Sequence, residues 1–258
     1  MTHTIIQISD SHLVDAASDL LRGVCPYEHL RQVLAVAATY DSAALLLTGD
    51  LAEAGAPTAY EQLQELLSAW QIPIYYIAGN HDDSAILAAS LTKQNHYGIK
   101  FSFSLGQWQI ISADSVKLNA TFGEGAINSE TYAWLRTEIT RHQQQHILIA
   151  LHHYPFMPYP ELESDPEISW LNQIALDDGA QFRHFLSQFP QVKLCIFGHG
   201  HREMYYTENG ITFYGCPSTL NQVTTATESD MNPVLLRQGF RWLKLLANGT
   251  YETGIRRI

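Results

Sequence analysis

Five short apolar runs punctuate the chain, and each stops at side chains able to hold a metal ion. Thr4–Ile8 leads to Asp10 and His12, and Ala44–Leu47 leads through Gly49 to Asp50. Ile74–Ile77 leads through Gly79 to Asn80 and His81. Ile147–Leu151 leads to His152 and His153, and Leu194–Phe197 leads through Gly198 to His199 and His201. Runs this short and this continuously apolar read as strands buried on both faces. In open α/β sheets the carboxyl ends of such strands face one crevice, where ligands bind. The pattern therefore predicts that residues scattered between positions 10 and 201 meet in one place.

Between the runs the periodicity changes to that of helices. Tyr27–Ala38, Pro57–Trp70 and Asp83–Leu91 are the first three, with Pro57 suited to a first helical turn. Alternation of this kind argues for βαβ units. Phe101–Leu105 and Trp108–Ala113, joined by Gly106-Gln107, read as a hairpin. A helix with Trp134, Leu135 and Ile139 on one face precedes the His152 strand, and another over Phe182–Phe189 precedes the His199 strand. Past His201 the texture is antiparallel. Met204–Thr207 and Ile211–Tyr214 flank Asn209-Gly210, and Phe240–Leu246 and Thr250–Ile255 flank Asn248-Gly249. The proline-rich stretch Tyr154–Pro166 follows the His152 strand directly and reads as a rim loop over the crevice. With no repeat, low-complexity tract or linker, a single domain over residues 1–258 is expected.

Composition narrows the class. The 258 residues are 46% hydrophobic and 16% charged, which supplies a sizeable core and argues against a disordered chain. No apolar run is long enough to span a bilayer, and no basic stretch followed by a hydrophobic segment opens the chain, so no membrane partner is expected. Cys25, Cys195 and Cys216 lack paired spacing and fit reduced thiols in a cytoplasmic protein. A net charge of −11 disfavours a long nucleic acid, and with it a nuclease, because the surface repels a phosphate backbone. The objection is weaker for a small phosphate ester, since bound cations reverse the field locally.

The candidate chemistry follows from spacing. Asp10-x-His12 and His199-x-His201 each place two side chains on the same side of a strand end. Asp50 and Asn80 each follow a glycine, which lets the backbone approach a bound ion closely. With His152 the set holds two carboxylates, one amide oxygen and four imidazoles. That is too many for one tetrahedral ion and suits two ions sharing a carboxylate. Taken singly, Asp10, Asp50 and Asn80 are ordinary turn residues, and His81 or His152 an ordinary buried polar group. Five strand ends repeating the pattern make that reading untenable.

These residues resemble a known family. Asp10-Ser11-His12, Gly49-Asp50-Leu51-Ala52-Glu53, Gly79-Asn80-His81-Asp82, His152-His153-Tyr154-Pro155 and Gly198-His199-Gly200-His201 are similar to the ordered signatures of the calcineurin-like metallophosphoesterases. The resemblance implies a four-layer α/β/β/α sandwich and a dinuclear site of iron, manganese or zinc. One ion would take Asp10, His12, Asp50 and His201; the other would take Asp50, Asn80, His152 and His199. His152 rather than His153 is the expected ligand, because it comes first off the strand. His81 would be the catalytic side chain that is no ligand, and Asn80, His81 and His201 would contact substrate. Asp82 or Glu53 would orient imidazoles, or else lie solvated at the surface.

Within the family, Glu53-Ala54-Gly55 and Asp82 argue against the protein serine/threonine phosphatases. Leu21-Arg22-Gly23-Val24, Ser169-Trp170-Leu171 and Pro217-Ser218-Thr219 are similar to the bacterial class III cyclic nucleotide phosphodiesterases. The implied activity is hydrolysis of a cyclic nucleotide, foremost 3′,5′-cyclic AMP, by a hydroxide bridging two ions. Other readings stay open: a broader diesterase acting on 2′,3′-cyclic nucleotides or glycerophosphodiesters, or a non-catalytic scaffold. A homodimer is also open. Tyr154, Phe156 and Tyr159 have two readings, stacking on a nucleobase or covering apolar surface.

Overall fold

A computed structural model describes residues 2–91, 96–158, 168–225 and 230–258. Strands β1 (Thr2–Ile8), β2 (Ala44–Thr48), β3 (Ile74–Ile77) and β4 (His96–Gly98) run parallel. The helices α1 (Pro26–Ala37), α2 (Pro57–Leu66) and α3 (Ser84–Ser90) connect them. The second half repeats the plan. The hairpin β5 (Ser102–Leu105) and β6 (Trp108–Ser112) leads through α4 (Ser129–Arg141) to β7 (His146–Ala150). Then α5 (Ser169–Gln173) and α6 (Gly179–Ser187) precede β8 (Val192–Phe197). Two hairpins follow, β9 (Tyr205–Glu208) with β10 (Ile211–Gly215) and β11 (Gly239–Leu246) with β12 (Tyr251–Arg257).

The strands form two six-stranded sheets, ordered β12-β11-β1-β2-β3-β4 and β5-β6-β7-β8-β10-β9. Strand parity shows why the runs must be apolar throughout. Ile6, Ile8, Leu45 and Leu47 face α1 and α2, whereas Ile5 and Leu46 face the opposite sheet. Ile149, Cys195 and Phe197 face the second helical layer, whereas Leu148, Ala150, Leu194 and Ile196 meet the first sheet. Three apolar clusters between four layers make the α/β/β/α sandwich. Each fully buried Ile or Leu contributes about 1.5–3 kcal/mol, so neither parity tolerates a polar residue without a partner.

Gln7 is such an exception. It points between the sheets, and its Nε2 donates to Thr48 Oγ1 and to the Phe197 carbonyl, both at 3.0 Å. One side chain thus ties β1 and β2 to β8 in the other sheet, next to the strand ends where the candidate ligands begin. The segment after β10 is fixed to the same place: Ser218 Oγ donates to the Asp10 carbonyl at 2.7 Å, and Thr219 N donates to the Ser9 carbonyl at 3.2 Å.

Helix boundaries follow local chemistry. Asp83 caps α3 by accepting from Ala85 N and Ile86 N, and Asn128 caps α4 by accepting from Thr131 N. The helix expected over Pro57–Trp70 is α-helical only to Leu66 and tightens into a 3₁₀ turn over Leu67–Ala69. The three-residue β4 and the five-residue α5 were too short for periodicity to reveal. No helix among the described residues is long and apolar enough to cross a membrane.

Candidate metal centre

Five of the candidate side chains leave the backbone in an unusual conformation. Asp10 (φ 55°), His12 (45°), Asp50 (50°), His199 (64°) and His201 (47°) all adopt the left-handed region. Non-glycine residues enter it at a cost on the order of 1–3 kcal/mol, and such positions gather at functional sites. Here the turn at each strand end swings the side chain inward. Gly79 makes room for that convergence: a Cβ there would lie 2.1 Å from Asp50 Oδ1, 2.4 Å from Asp50 N and 2.7 Å from His152 Nε2.

The side chains meet around Asp50. Its Oδ2 lies 3.6 Å from His12 Nε2 and 3.3 Å from His152 Nε2. His12 Nε2 is 3.0 Å from His201 Nε2, and His201 Nε2 is 3.8 Å from Asp10 Oδ1. Asn80 Oδ1 lies 3.2 Å from His152 Nε2. Asp10, His12, Asp50, His152, His199 and His201 are buried. Asp10 Oδ1 and Oδ2 accept from His199 N at 2.9 and 3.1 Å, and Asp50 Oδ1 accepts from His81 N at 2.9 Å.

Each imidazole has one nitrogen engaged away from this cluster. His12 Nδ1 donates to Glu53 Oε2 at 2.6 Å, and His152 Nδ1 donates to the Thr48 carbonyl at 2.8 Å. His201 Nδ1 donates to the Asn221 carbonyl at 2.9 Å, and His199 Nε2 donates to the Ile174 carbonyl at 2.9 Å. Partners of this kind fix the ring and raise the basicity of the nitrogen left over. For His199 the remaining nitrogen is Nδ1, which is buried without a hydrogen-bond partner. A bare, buried lone pair on a ring whose centroid lies 4.8 Å from that of His152 and 4.4 Å from that of His153 fits a cation. His12 Nε2 and His201 Nε2, 3.0 Å apart while both Nδ1 atoms donate elsewhere, share either a proton or a metal ion.

Electrostatics divide the cluster. Burial, offset in part by His152, raises Asp10 to about 6. Asp50 is held well below the usual carboxylate range: burial opposes its charge, but His152 and His12 outweigh it. Burial also opposes charge on His152, yet Asp50 lifts it to about 9. Burial and neighbouring imidazoles push His199 and His201 well below their ordinary value, which leaves them neutral and able to ligate.

His153 differs from its neighbour. Its Nδ1 accepts from Ser115 Oγ at 2.8 Å and its Nε2 donates to the Gly123 carbonyl at 3.1 Å, so both nitrogens are spent on structure. Burial, then the charge of His152, lowers it to about 3. His81 Nδ1 donates to the Glu53 carbonyl at 3.0 Å, which leaves its Nε2 for the cleft that the residue lines.

A family comparison sets this geometry in context. The model of the calcineurin-like phosphoesterases matches residues 3–203. The chain belongs to the calcineurin-like phosphoesterase family. This phosphoesterase is 32% identical over 258 residues to a 3′,5′-cyclic-nucleotide phosphodiesterase of Nostoc sp., covering 99% of this chain and 92% of that one. It is 29% identical over 256 residues to the 3′,5′-cyclic adenosine monophosphate phosphodiesterase CpdA of Escherichia coli, covering 98% and 89%. In fold it is similar to a dimetal phosphatase from Danio rerio, with a TM-score of 0.74 at 13% identity over 99% and 96% of the two chains.

Two readings left open by the sequence are decided here. Asp82 orients no imidazole; its carboxylate accepts from Leu51 N, Ala52 N, Gly79 N and the Tyr60 hydroxyl at 2.9–3.1 Å, and so braces the Asp50 turn through the backbone. Glu53 is the carboxylate that meets an imidazole. Nor do Tyr154 and Phe156 offer a stacking face: at 0% and 9% exposure they pack into the second helical layer, and Tyr159 lies outside the described residues.

The phosphoesterase cleft, about 160 Å³, has walls that the ligand pattern did not reveal: Arg22, Phe122 and Trp170. Arg22 sits at the tip of a tight turn in which Leu21 and Val24 exchange backbone hydrogen bonds at 2.8 and 3.1 Å, with Arg22 at φ 53° and Gly23 at φ 85°. That is the geometry of a type I′ turn, and it holds a cation at the rim. Arg22 and Trp170 fall in two segments that the phosphodiesterase resemblance had singled out, Leu21–Val24 and Ser169–Leu171, whereas Phe122 carried no such signal.

Proposed function

We propose that this chain is a metal-dependent phosphodiesterase that hydrolyses 3′,5′-cyclic AMP at a two-ion centre. Asp10, His12, Asp50 and His201 would hold one ion, and Asp50, Asn80, His152 and His199 the other. The observation that carries this reading is Asp50 Oδ2 standing between His12 Nε2 at 3.6 Å and His152 Nε2 at 3.3 Å, a carboxylate common to two half-sites. The names of the Nostoc and Escherichia coli relatives support the substrate. When bound, a pair of cations activates water as a nucleophile at neutral pH and offsets charge on phosphoryl oxygens.

The chain's own groups supply the rest. His81, with Nδ1 fixed by the Glu53 carbonyl, presents Nε2 to the leaving oxygen, where it can deliver a proton. Its distance from the Asp50 ring of ligands is set by its own amide, which binds Asp50 Oδ1. Arg22 faces the anionic ester from the rim. Glu53 holds the His12 ring, and the Thr48 and Asn221 carbonyls hold His152 and His201.

The test is a comparison of kcat/KM after manganese or iron reconstitution. The panel is 3′,5′-cyclic AMP, 2′,3′-cyclic AMP, a glycerophosphodiester and a phosphomonoester. Preference for either of the last three overturns the substrate, and no turnover of any ester by the metal-loaded protein favours a scaffold. His81→Ala is expected to keep its metals and lose about 10²–10⁴-fold in turnover. Metal content falling in step with activity would remove His81 from that role.

A further inference from the structure

Two exposed aromatic side chains border the cleft and have no part in holding metal: Phe122, 64% exposed, and Trp170, 40% exposed. They come from separate segments, and each is anchored. Glu124 accepts from Thr121 N at 3.0 Å and from Phe122 N at 2.8 Å, while Lys117 Nζ reaches Glu124 at 2.6 Å and Asp177 at 2.8 Å. The next residue, Gly123, is held by His153 through its carbonyl and packs on Asn80, to whose Nδ2 a Cβ would come within 3.1 Å. Phe122 is thereby fixed beside a candidate ligand.

Trp170 lies on α5, which is pinned at one of its own carbonyls and at that of its C-cap residue. Leu171 O accepts from the Tyr154 hydroxyl, and Ile174 O accepts from His199 Nε2. The two anchored segments also bind each other: Gly125 N donates to the Ala175 carbonyl at 3.3 Å and Asp177 N to the Gly125 carbonyl at 2.9 Å. The rim therefore holds two large apolar surfaces over a polar cleft lined by His12, Asp50, His81, His199 and His201. A rim ordered before the ligand arrives loses little entropy on binding, and a site apolar at one end and ionic at the other suits an amphipathic ligand.

We propose that Phe122 and Trp170 form an aromatic clamp for the base of a nucleotide whose phosphate lies at the metal centre. The inference rests on the phosphodiesterase reading and names what selects the substrate. Stacking accepts any base because every base has a π-face, so the clamp separates nucleotides from base-free esters rather than one base from another.

The experiment is calorimetric binding of AMP and of ribose 5-phosphate to the manganese-loaded protein and to Phe122→Ala, Trp170→Ala and the double variant. The two ligands share the sugar phosphate and differ in the base. The unmodified protein is expected to prefer AMP by roughly 5- to 150-fold for each stacked ring, and each variant is expected to lose about that factor for AMP alone. Trp170 fluorescence should be quenched by AMP and not by ribose 5-phosphate. Equal affinity for the two ligands in the unmodified protein overturns the clamp. So does a double variant of unchanged circular dichroism and metal content that keeps the preference within twofold. Failure to hydrolyse any cyclic nucleotide would instead overturn the proposed reaction and leave this binding comparison standing.

Discussion

Adding one methyl group at Gly79 tests whether close approach of two strand ends builds the centre. Gly79 has no positive φ, so alanine fits its backbone and the cost comes from contacts alone. The new Cβ would stand 2.4 Å from Asp50 N and 2.7 Å from His152 Nε2. The first of these is a backbone atom, which no rotamer change can move. Restoring an ordinary van der Waals distance requires the turns after β2 and β3 to separate by about 1 Å. Overpacking of this kind costs about 1–3 kcal/mol, which in a chain of this size lowers Tm by roughly 2–12 °C. The functional loss should be larger, since a shift of about 1 Å at reacting groups can cost 10²-fold. Circular dichroism melting, metal content and kcat/KM toward 3′,5′-cyclic AMP read the three effects. Gly210→Ala is the control: it lies at φ 78° with nothing within 4 Å, so it should lose only about 1–2 kcal/mol and keep its turnover. A Gly79→Ala protein with full metal content and turnover within threefold of the parent would refute the reasoning.

Metal should stabilise the fold, because two buried carboxylates and a bare His199 Nδ1 gain a counter-charge. Manganese at a hundred times its dissociation constant adds about 2.7 kcal/mol, a Tm rise of roughly 5–11 °C, and a melt indifferent to both metal and chelator would contradict it. Gln7→Met removes the bonds to Thr48 Oγ1 and the Phe197 carbonyl and should cost about 1–3 kcal/mol in a denaturant titration. No loss would mean that the sheets hold their alignment without that bridge. Arg22→Met keeps the stem and removes the charge at the rim. It should lower kcat/KM about 10-fold at low salt and flatten its dependence on ionic strength, and an unchanged salt slope would exclude a role in anion capture.

Strand signals and ligand types were legible because they are local. A strand buried on both faces needs apolar residues at both parities, which Leu45, Leu46 and Leu47 or Leu194, Cys195 and Ile196 display without reference to anything distant. The Asn209-Gly210 and Asn248-Gly249 hairpins are local in the same sense, and the order of the metal-type residues at strand ends sufficed for the family. Local pattern thus determined the buried strands and the residues that converge at their ends, the family resemblance implied the four layers, and only the structure divided the strands between two sheets.

Tertiary structure decided how those residues face. Strand order favoured His152 over His153, but only the fold shows their partners: Thr48, 104 residues away, takes Nδ1 of one, while Ser115 and Gly123 consume both nitrogens of the other. Asp82 reads as a partner for imidazoles until the Leu51 and Ala52 amides are seen to claim it. Tyr154 and Phe156 carry the aromatic signal but are drawn into the core, and Phe122 and Trp170 take the rim instead. Ring orientation and side-chain burial depend on hydrogen-bond partners far off in the chain, and such partners have no period that a sequence could display.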